Sequence, residues 1–144
     1  MQVRFPALSV LAIAGLAIPS AAPAQEASSK PAAYVAEVDP GAFHRVPLEE
    51  KKLGVTVDPA SVRLITPGVD KFSIYNLIGP PHFGEGITRR WNYVLFFAAT
   101  PGSAERVRCR MEIRFERPRG HYHVTVSQVI WQEQSCADRV AHAN

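Results

Sequence analysis

The sequence predicts an α+β domain in which two short helices lie on one face of a three-stranded antiparallel β-meander, in the order α-α-β-β-β. Three observations lead there. Val107, Cys109, Met111, Ile113 and Phe115 alternate with Arg108, Arg110, Glu112, Arg114 and Glu116, the period of two expected for a strand with one apolar and one charged face. Ile74, Leu77 and Ile78 recur at i, i+3 and i+4, which places them on one side of a helix. Gly79, Pro80 and Pro81 stand between the two patterns, where a glycine cap followed by proline ends a helix.

Each element then follows in chain order. Asp58 before Pro59 starts a short helix over residues 60–65: the carboxylate accepts from an orphan N–H, and proline at the first position has none to lose. Pro67 pushes Thr66 out of helical dihedrals. Gly68 makes a turn, and Asp70 caps the second helix, which carries Ile74, Leu77 and Ile78, with Tyr75 at the edge of the stripe. After a loop rich in Gly and His, residues 90–97 form a first strand, with Trp91, Tyr93, Leu95 and Phe97 on one face and Asn92, Val94 and Phe96 on the other. Residues 100–105 turn the chain into the alternating strand, and residues 117–120 turn it again. The third strand runs over residues 123–131, with Val124, Val126 and Ile130 set against Thr125, Ser127, Val129 and Trp131.

The chain has 144 residues, 47% hydrophobic and 20% charged, which suits one small globular domain and excludes a wholly disordered chain. A net charge of +3 is too small a surplus to argue for nucleic acid, and no aromatic-basic binding motif appears. Residues 1–24 read as a secretory signal peptide: one early positive charge, an apolar run of about a dozen residues and a small-residue ending, with cleavage after Ala24. A membrane anchor is the competing reading, but a spanning helix needs roughly 20 apolar residues. Export to the periplasm is therefore expected, with no transmembrane segment in the mature chain and no cysteine near the cleavage point to carry a lipid. Residues 25–54 read as a mobile N-terminal arm, although Tyr34, Val35, Val38, Phe43, Val46 and Leu48 are many apolar residues for a purely solvated one. Residues 55–136 form the domain, and residues 137–144 a tail.

Cys109 and Cys136 both fall in the exported part, where a cysteine pair tends to be oxidised. Cys109 begins the second strand and Cys136 follows the third, so an antiparallel hairpin brings them to the same end. A disulfide is predicted; two buried thiols are the alternative, and a metal site lacks the close ligand spacing that zinc requires.

The run Gly68-Val69-Asp70-x-x-x-Ile74-x-x-x-Ile78-Gly79-x-Pro81, followed after a loop by Trp91-x-Tyr93, resembles the SmpA/OmlA (BamE-like) domain. The likeness covers the folded region from about residue 62 to 131. The Cys109 strand and the ending at residues 131–136 look like the version found beside peptidoglycan-binding OmpA-type domains. Asp70 stands where the family more often has Thr, and either residue caps a helix. The resemblance implies an α-α-β-β-β fold in a Gram-negative periplasm and an accessory role in inserting β-barrel proteins into the outer membrane. It implies binding without chemistry, with outer-membrane assembly components or other envelope proteins as partners, and contact with anionic phospholipid headgroups. The best-known member is a lipoprotein, from which this sequence departs by lacking the lipid-bearing cysteine.

Arg90, Arg108, Arg110 and Arg114 are the candidate contact surface for an acidic partner or a lipid headgroup. The alternative is a solvated sheet face on which Glu112 and Glu116 neutralise the arginines. His121 and His123 share one side if extended, a metal spacing without a third ligand nearby in sequence, and read as a surface turn. Glu49 and Glu50 before Lys51 and Lys52 read as a solvated charge cluster. No nucleophile motif or phosphate loop appears, so no catalytic residue, metal ligand or cofactor is assigned. Trp91 and Tyr93 are expected in the core, with partner binding restricted to an open sheet edge where a strand could add. A competing function is a soluble inhibitor or ligand-binding protein, because the helix-on-sheet layout resembles that of β-lactamase inhibitor proteins.

Overall fold

The computed structural model describes residues 33–43, 52–86 and 88–144. The expected signal peptide, Val46, Leu48 and the Glu49 to Lys51 charges lie outside the described residues. Among those described, no helix is long and apolar enough to cross a membrane.

The described residues fold into three helices and one five-stranded mixed sheet. In chain order these are β1 (Glu37–Val38), β2 (Val55–Thr56), α1 (Pro59–Arg63), α2 (Ser73–Ile78), β3 (Arg90–Ala98), β4 (Arg106–Glu116), β5 (Thr125–Trp131) and α3 (Gln134–Ala141), with a 3-10 turn at Pro40–Phe43. The α+β class is as expected; the three-stranded sheet and the α-α-β-β-β order are not. The antiparallel meander β3-β4-β5 is the centre of a sheet ordered β1-β5-β4-β3-β2, whose two outer strands run parallel to their neighbours. Two-residue strands carry no periodicity to read. They form because the outer backbone groups of β3 and β5 need partners.

Both edges are closed in this way. On β5, Glu37 and Val38 pair beside Ile130 and Trp131, while the Gly68 and Lys71 N–H groups donate to the Val126 and Val124 carbonyls at 2.8 and 2.9 Å. On β3, Val55 and Thr56 pair beside Leu95 and Phe96, and the His82 and Phe83 N–H groups donate to the Asn92 carbonyl at 2.9 and 3.2 Å. The Val94 N–H donates to His82 Nδ1 at 3.2 Å. The open edge expected for strand addition is thus occupied by the chain itself.

Asp58 caps α1 as expected, its Oδ1 accepting from the Ala60 N–H at 2.9 Å. Asp70 acts one turn before α2: its Oδ1 accepts from the Phe72 N–H at 2.8 Å, and the helix proper begins at Ser73. Gly79 ends α2 with φ +81°, a conformation that costs a residue with a Cβ about 1 kcal/mol.

The core lies between the helices and one face of the sheet. Val62, Ile65, Ile74 and Ile78 meet Trp91, Tyr93, Leu95, Phe97, Met111 and Ile113, all buried. Val94, on the other face of β3, is buried as well, so that strand is covered on both sides. In β5 the register shifts: Phe115 faces Val126, but Ile113 faces Val129 and Met111 faces Trp131. One extra residue therefore brings Val126, Val129 and Trp131 into the same core, where strict alternation had put Val126 with Ile130 and against the other two.

A disulfide joins Cys109 of β4 to Cys136, with Cα atoms 5.8 Å apart. Cys136 lies in α3, whose buried residues are Cys136, Ala137 and Val140. A stripe this short and small does not announce a helix, and its C-terminal half falls within residues expected as a tail. Residues 33–43 pack on the sheet: the Trp131 Nε1–H donates to Tyr34 Oη at 2.6 Å, and Phe43 is buried. Burial outweighs that bond and pushes the Tyr34 phenol up to about 12.

Candidate functional site

The face of the sheet turned away from the helices carries the arginines of β3 and β4. Register places Arg90 beside Arg114, Asn92 beside Glu112, Val94 beside Arg110 and Phe96 beside Arg108. They do not form one open surface. Arg110 is only 5% exposed; its guanidinium stands 5.0 Å from the Phe43 ring centroid, and Nη1 donates to the Phe43 carbonyl at 3.4 Å. Arg108 is half-buried, Arg90 exposed. Arg114 Nε is paired with Glu112 Oε1 at 2.7 Å, and Glu112 also accepts from Asn92 Nδ2 at 3.3 Å. The chain of contacts continues from Arg114 Nη1 to Gln128 Oε1 and from Gln128 Nε2 to Glu37 Oε2, at 3.4 and 3.2 Å. Glu112 is 4% exposed, and burying a carboxylate is costly unless a cation and a donor meet it, as here. Glu112 pairs with Arg114 within β4 and is buried, unlike the solvated face with cross-strand pairs of the alternative reading. Arg110 is held under Phe43 rather than presented to solvent, because residues 33–43 lie against the sheet.

The residues carrying the sequence motif build the junction between α2 and the sheet. Ile74, Ile78, Trp91 and Tyr93 are buried together. Tyr93 Oη donates to the Gly79 carbonyl at 3.0 Å, which fixes the end of α2 on β3. Burial, followed by the nearby Tyr75 and Glu85, pushes the Tyr93 phenol above its ordinary range. Pro81, two residues after Gly79, is buried as well. Trp91 meets the rings of Tyr75 and Phe115 at 5.0 and 4.9 Å, with Lys71 Nζ 4.6 Å from its centroid. Tyr75 Oη donates to Glu85 Oε1 at 2.7 Å, an acceptor that raises the phenol's pKa.

At the turn between β4 and β5, His121, Tyr122 and His123 are exposed. His123 Nδ1 lies 3.7 Å from Asp70 Oδ2, an approach across the strand edge that sequence spacing does not reveal. Among the described residues no group of three or more His, Cys, Asp or Glu side chains is placed to hold a metal ion.

This arrangement can be compared with known proteins. Residues 54–120 match the family model described as the outer membrane protein assembly factor BamE domain. Those residues are similar to a BamE domain. No curated protein matches the chain. The BamE-like match begins at Gly54, beside β2, and ends at Gly120, in the turn before β5. It includes the whole motif from Gly68 to Tyr93 and Cys109; β1, β5 and α3 lie outside it. The disulfide therefore ties the matched segment to a helix beyond it. Reading the sequence missed Phe72, 70% exposed, and left Tyr122, 94% exposed, without a role. The available signal was a bulky aromatic in a turn-forming context, flanked by Arg117, Arg119 and two histidines.

Proposed function

We propose that the protein is an exported, periplasmic, non-enzymatic binding module that serves outer-membrane β-barrel assembly or envelope integrity. The observation that carries this reading is the BamE-like match over residues 54–120. The α+β architecture around the motif residues is consistent with it, and the comparisons offer no parallel support for an inhibitor role. Its partners are assembly components or other envelope proteins, with Arg90 as the exposed member of the arginine group, Arg108 and Arg114 half-buried beside it, and anionic headgroups as a second contact. Arg110 serves that surface from beneath, by holding Phe43 in place.

The test is crosslinking in living cells followed by mass spectrometry of the captured partners, comparing wild type with the Arg90→Ser variant, whose side chain is exposed. Repeated capture of barrel-assembly components, weakened in the variant, is the expected result. Capture of a single soluble hydrolase, or of no envelope component in repeated trials, overturns the reading.

A further inference from the structure

Arg139 of α3 carries a donor that the fold does not use. Its Nη1 donates to the Ala98 and Ala99 carbonyls at 3.0 and 2.9 Å, which ties α3 to the end of β3 and occupies both Nη1 hydrogens. Nε is buried and has no acceptor among the described residues. A buried N–H without a partner keeps its full desolvation cost, so an acceptor brought from outside is rewarded there. Arg139 lines a cleft of about 640 Å³ where β2, the turn between β3 and β4, and the end of α3 meet. Cys136 lies three residues earlier on the same helix, so the disulfide to Cys109 sets the turn that presents this side chain.

The lining of the cleft itself carries the charge. Arg106 and Arg139 stand against one carboxylate, Asp58, whose Oδ1 accepts from the Ala60 N–H as the cap of α1. Glu105 and Asp138 lie outside the lining. The ion pairs among the described residues involve Arg114 and His123, so neither cleft arginine has a carboxylate partner there. Arg106 is exposed, with Nη1 held by the Ser103 and Glu105 carbonyls of the turn. His142 turns Nδ1 to the Asp138 carbonyl of its own helix at 2.7 Å.

A surplus of one positive charge suits a single negative one. A dianion such as phosphate would also meet Asp58 and the negative end of α3. With Nη1 occupied, the Nε and Nη2 edge of Arg139 offers two parallel donors at the spacing of carboxylate oxygens, and the two backbone carbonyls hold that edge in place beforehand. Val57, Ala98 and Pro101 add apolar wall, which suits an apolar group attached to the carboxylate.

We propose that the cleft binds a carboxylate borne by an apolar group, received side-on by Arg139 with Arg106 as the second positive charge. That chemistry is shared by the free C-terminus of a polypeptide and by a small aliphatic acid. Arg139 lies outside the segment that matches the BamE domain, and the site does not depend on the assembly reading.

The test is an NMR titration of the isotope-labelled mature protein with N-acetyl-valyl-phenylalanine and, separately, with hexanoate. Its controls are the C-terminal amide of the same dipeptide and inorganic phosphate. The expected result is resonance shifts at residues 56–59, 98–106 and 139–144, with movement of the Arg139 Nε–H signal. The amide should bind at least about ten-fold more weakly than the acid, because it lacks the charge that the fork receives. Tighter binding of the dipeptide acid than of hexanoate supports the proposal with a polypeptide C-terminus as the source; equal binding supports it with small acids. Arg139→Lys keeps the charge without the fork and should lose about ten-fold in affinity. Arg106→Gln changes an exposed side chain and should lose several-fold at an unchanged thermal midpoint. No shifts with either acid at millimolar concentration, shifts elsewhere, a still Nε–H signal, or equal binding of the amide overturns the proposal. So does a response to phosphate and not to the acids. The comparison of acid with amide is made on the wild-type chain, so it stands whether or not a variant folds. Direct binding by the purified chain also keeps this failure separate from failure to recover assembly components in cells.

Discussion

Tyr93 shows how a single polar atom joins two elements. Its ring is in the core, while its hydroxyl satisfies the carbonyl of the glycine that ends α2. Tyr93→Phe keeps the ring and leaves that carbonyl short of a donor. The expected cost is about 1 kcal/mol, read as a lower denaturant midpoint at unchanged slope. His82 plays the matching role on the edge of β3. Nδ1 must be unprotonated to accept from the Val94 N–H, and burial lowers the imidazole's pKa. The folded value therefore lies below the unfolded value of about 6.5. Stability from this site is intact above the unfolded value and is lost as pH falls through the folded one. His82→Asn retains an acceptor without the titration. Thermal midpoints measured from pH 7 to pH 5 should fall more steeply in wild type than in this variant; parallel curves would remove His82 from the acid response.

Among the elements, β4 was the most legible and β2 the least. Alternation in β4 sorts core from charged face because every second side chain of a strand points the same way. β2 has two residues and no pattern; it exists because β3 has an edge to fill. Its approach depends on Gly54, where φ is +151° and an added Cβ would stand 2.0 Å from Cε2 of Phe96. Gly54→Ala must displace a ring or lift the strand. A loss of about 1–3 kcal/mol is expected, together with faster amide exchange at Val57, whose N–H donates to the Phe96 carbonyl. Unchanged protection there would show that β2 docks without the glycine. The helices divide in the same way: α1 and α2 were legible from caps and from the stripe of Ile74 and Ile78, whereas the small residues of α3 gave no stripe to find.

At the scale of the whole molecule, the disulfide is the long-range constraint. Cys109 and Cys136 are 27 residues apart, and closing a loop of that length removes about 3.5 kcal/mol of unfolded-chain entropy. That is a substantial fraction of the roughly 5–15 kcal/mol typical of a domain. Cys109→Ala with Cys136→Ala should lower unfolding free energy by about that amount in equilibrium denaturation, with exchange protection lost first in α3. A change below about 1 kcal/mol would mean that packing of Val140 and Ala137 suffices. The sequence by itself determined the α+β class, the three central strands, both leading helices, the cysteine pairing and the BamE-like motif, because each is encoded by local period, cap or spacing. Only the tertiary structure decided which surfaces remain available. The short outer strands, the bulge in β5, Phe43 over Arg110, and the approach of His123 to Asp70 are contacts between residues remote in sequence. Such contacts are set by the need to cover edges and bury side chains, and leave no periodic trace in the chain.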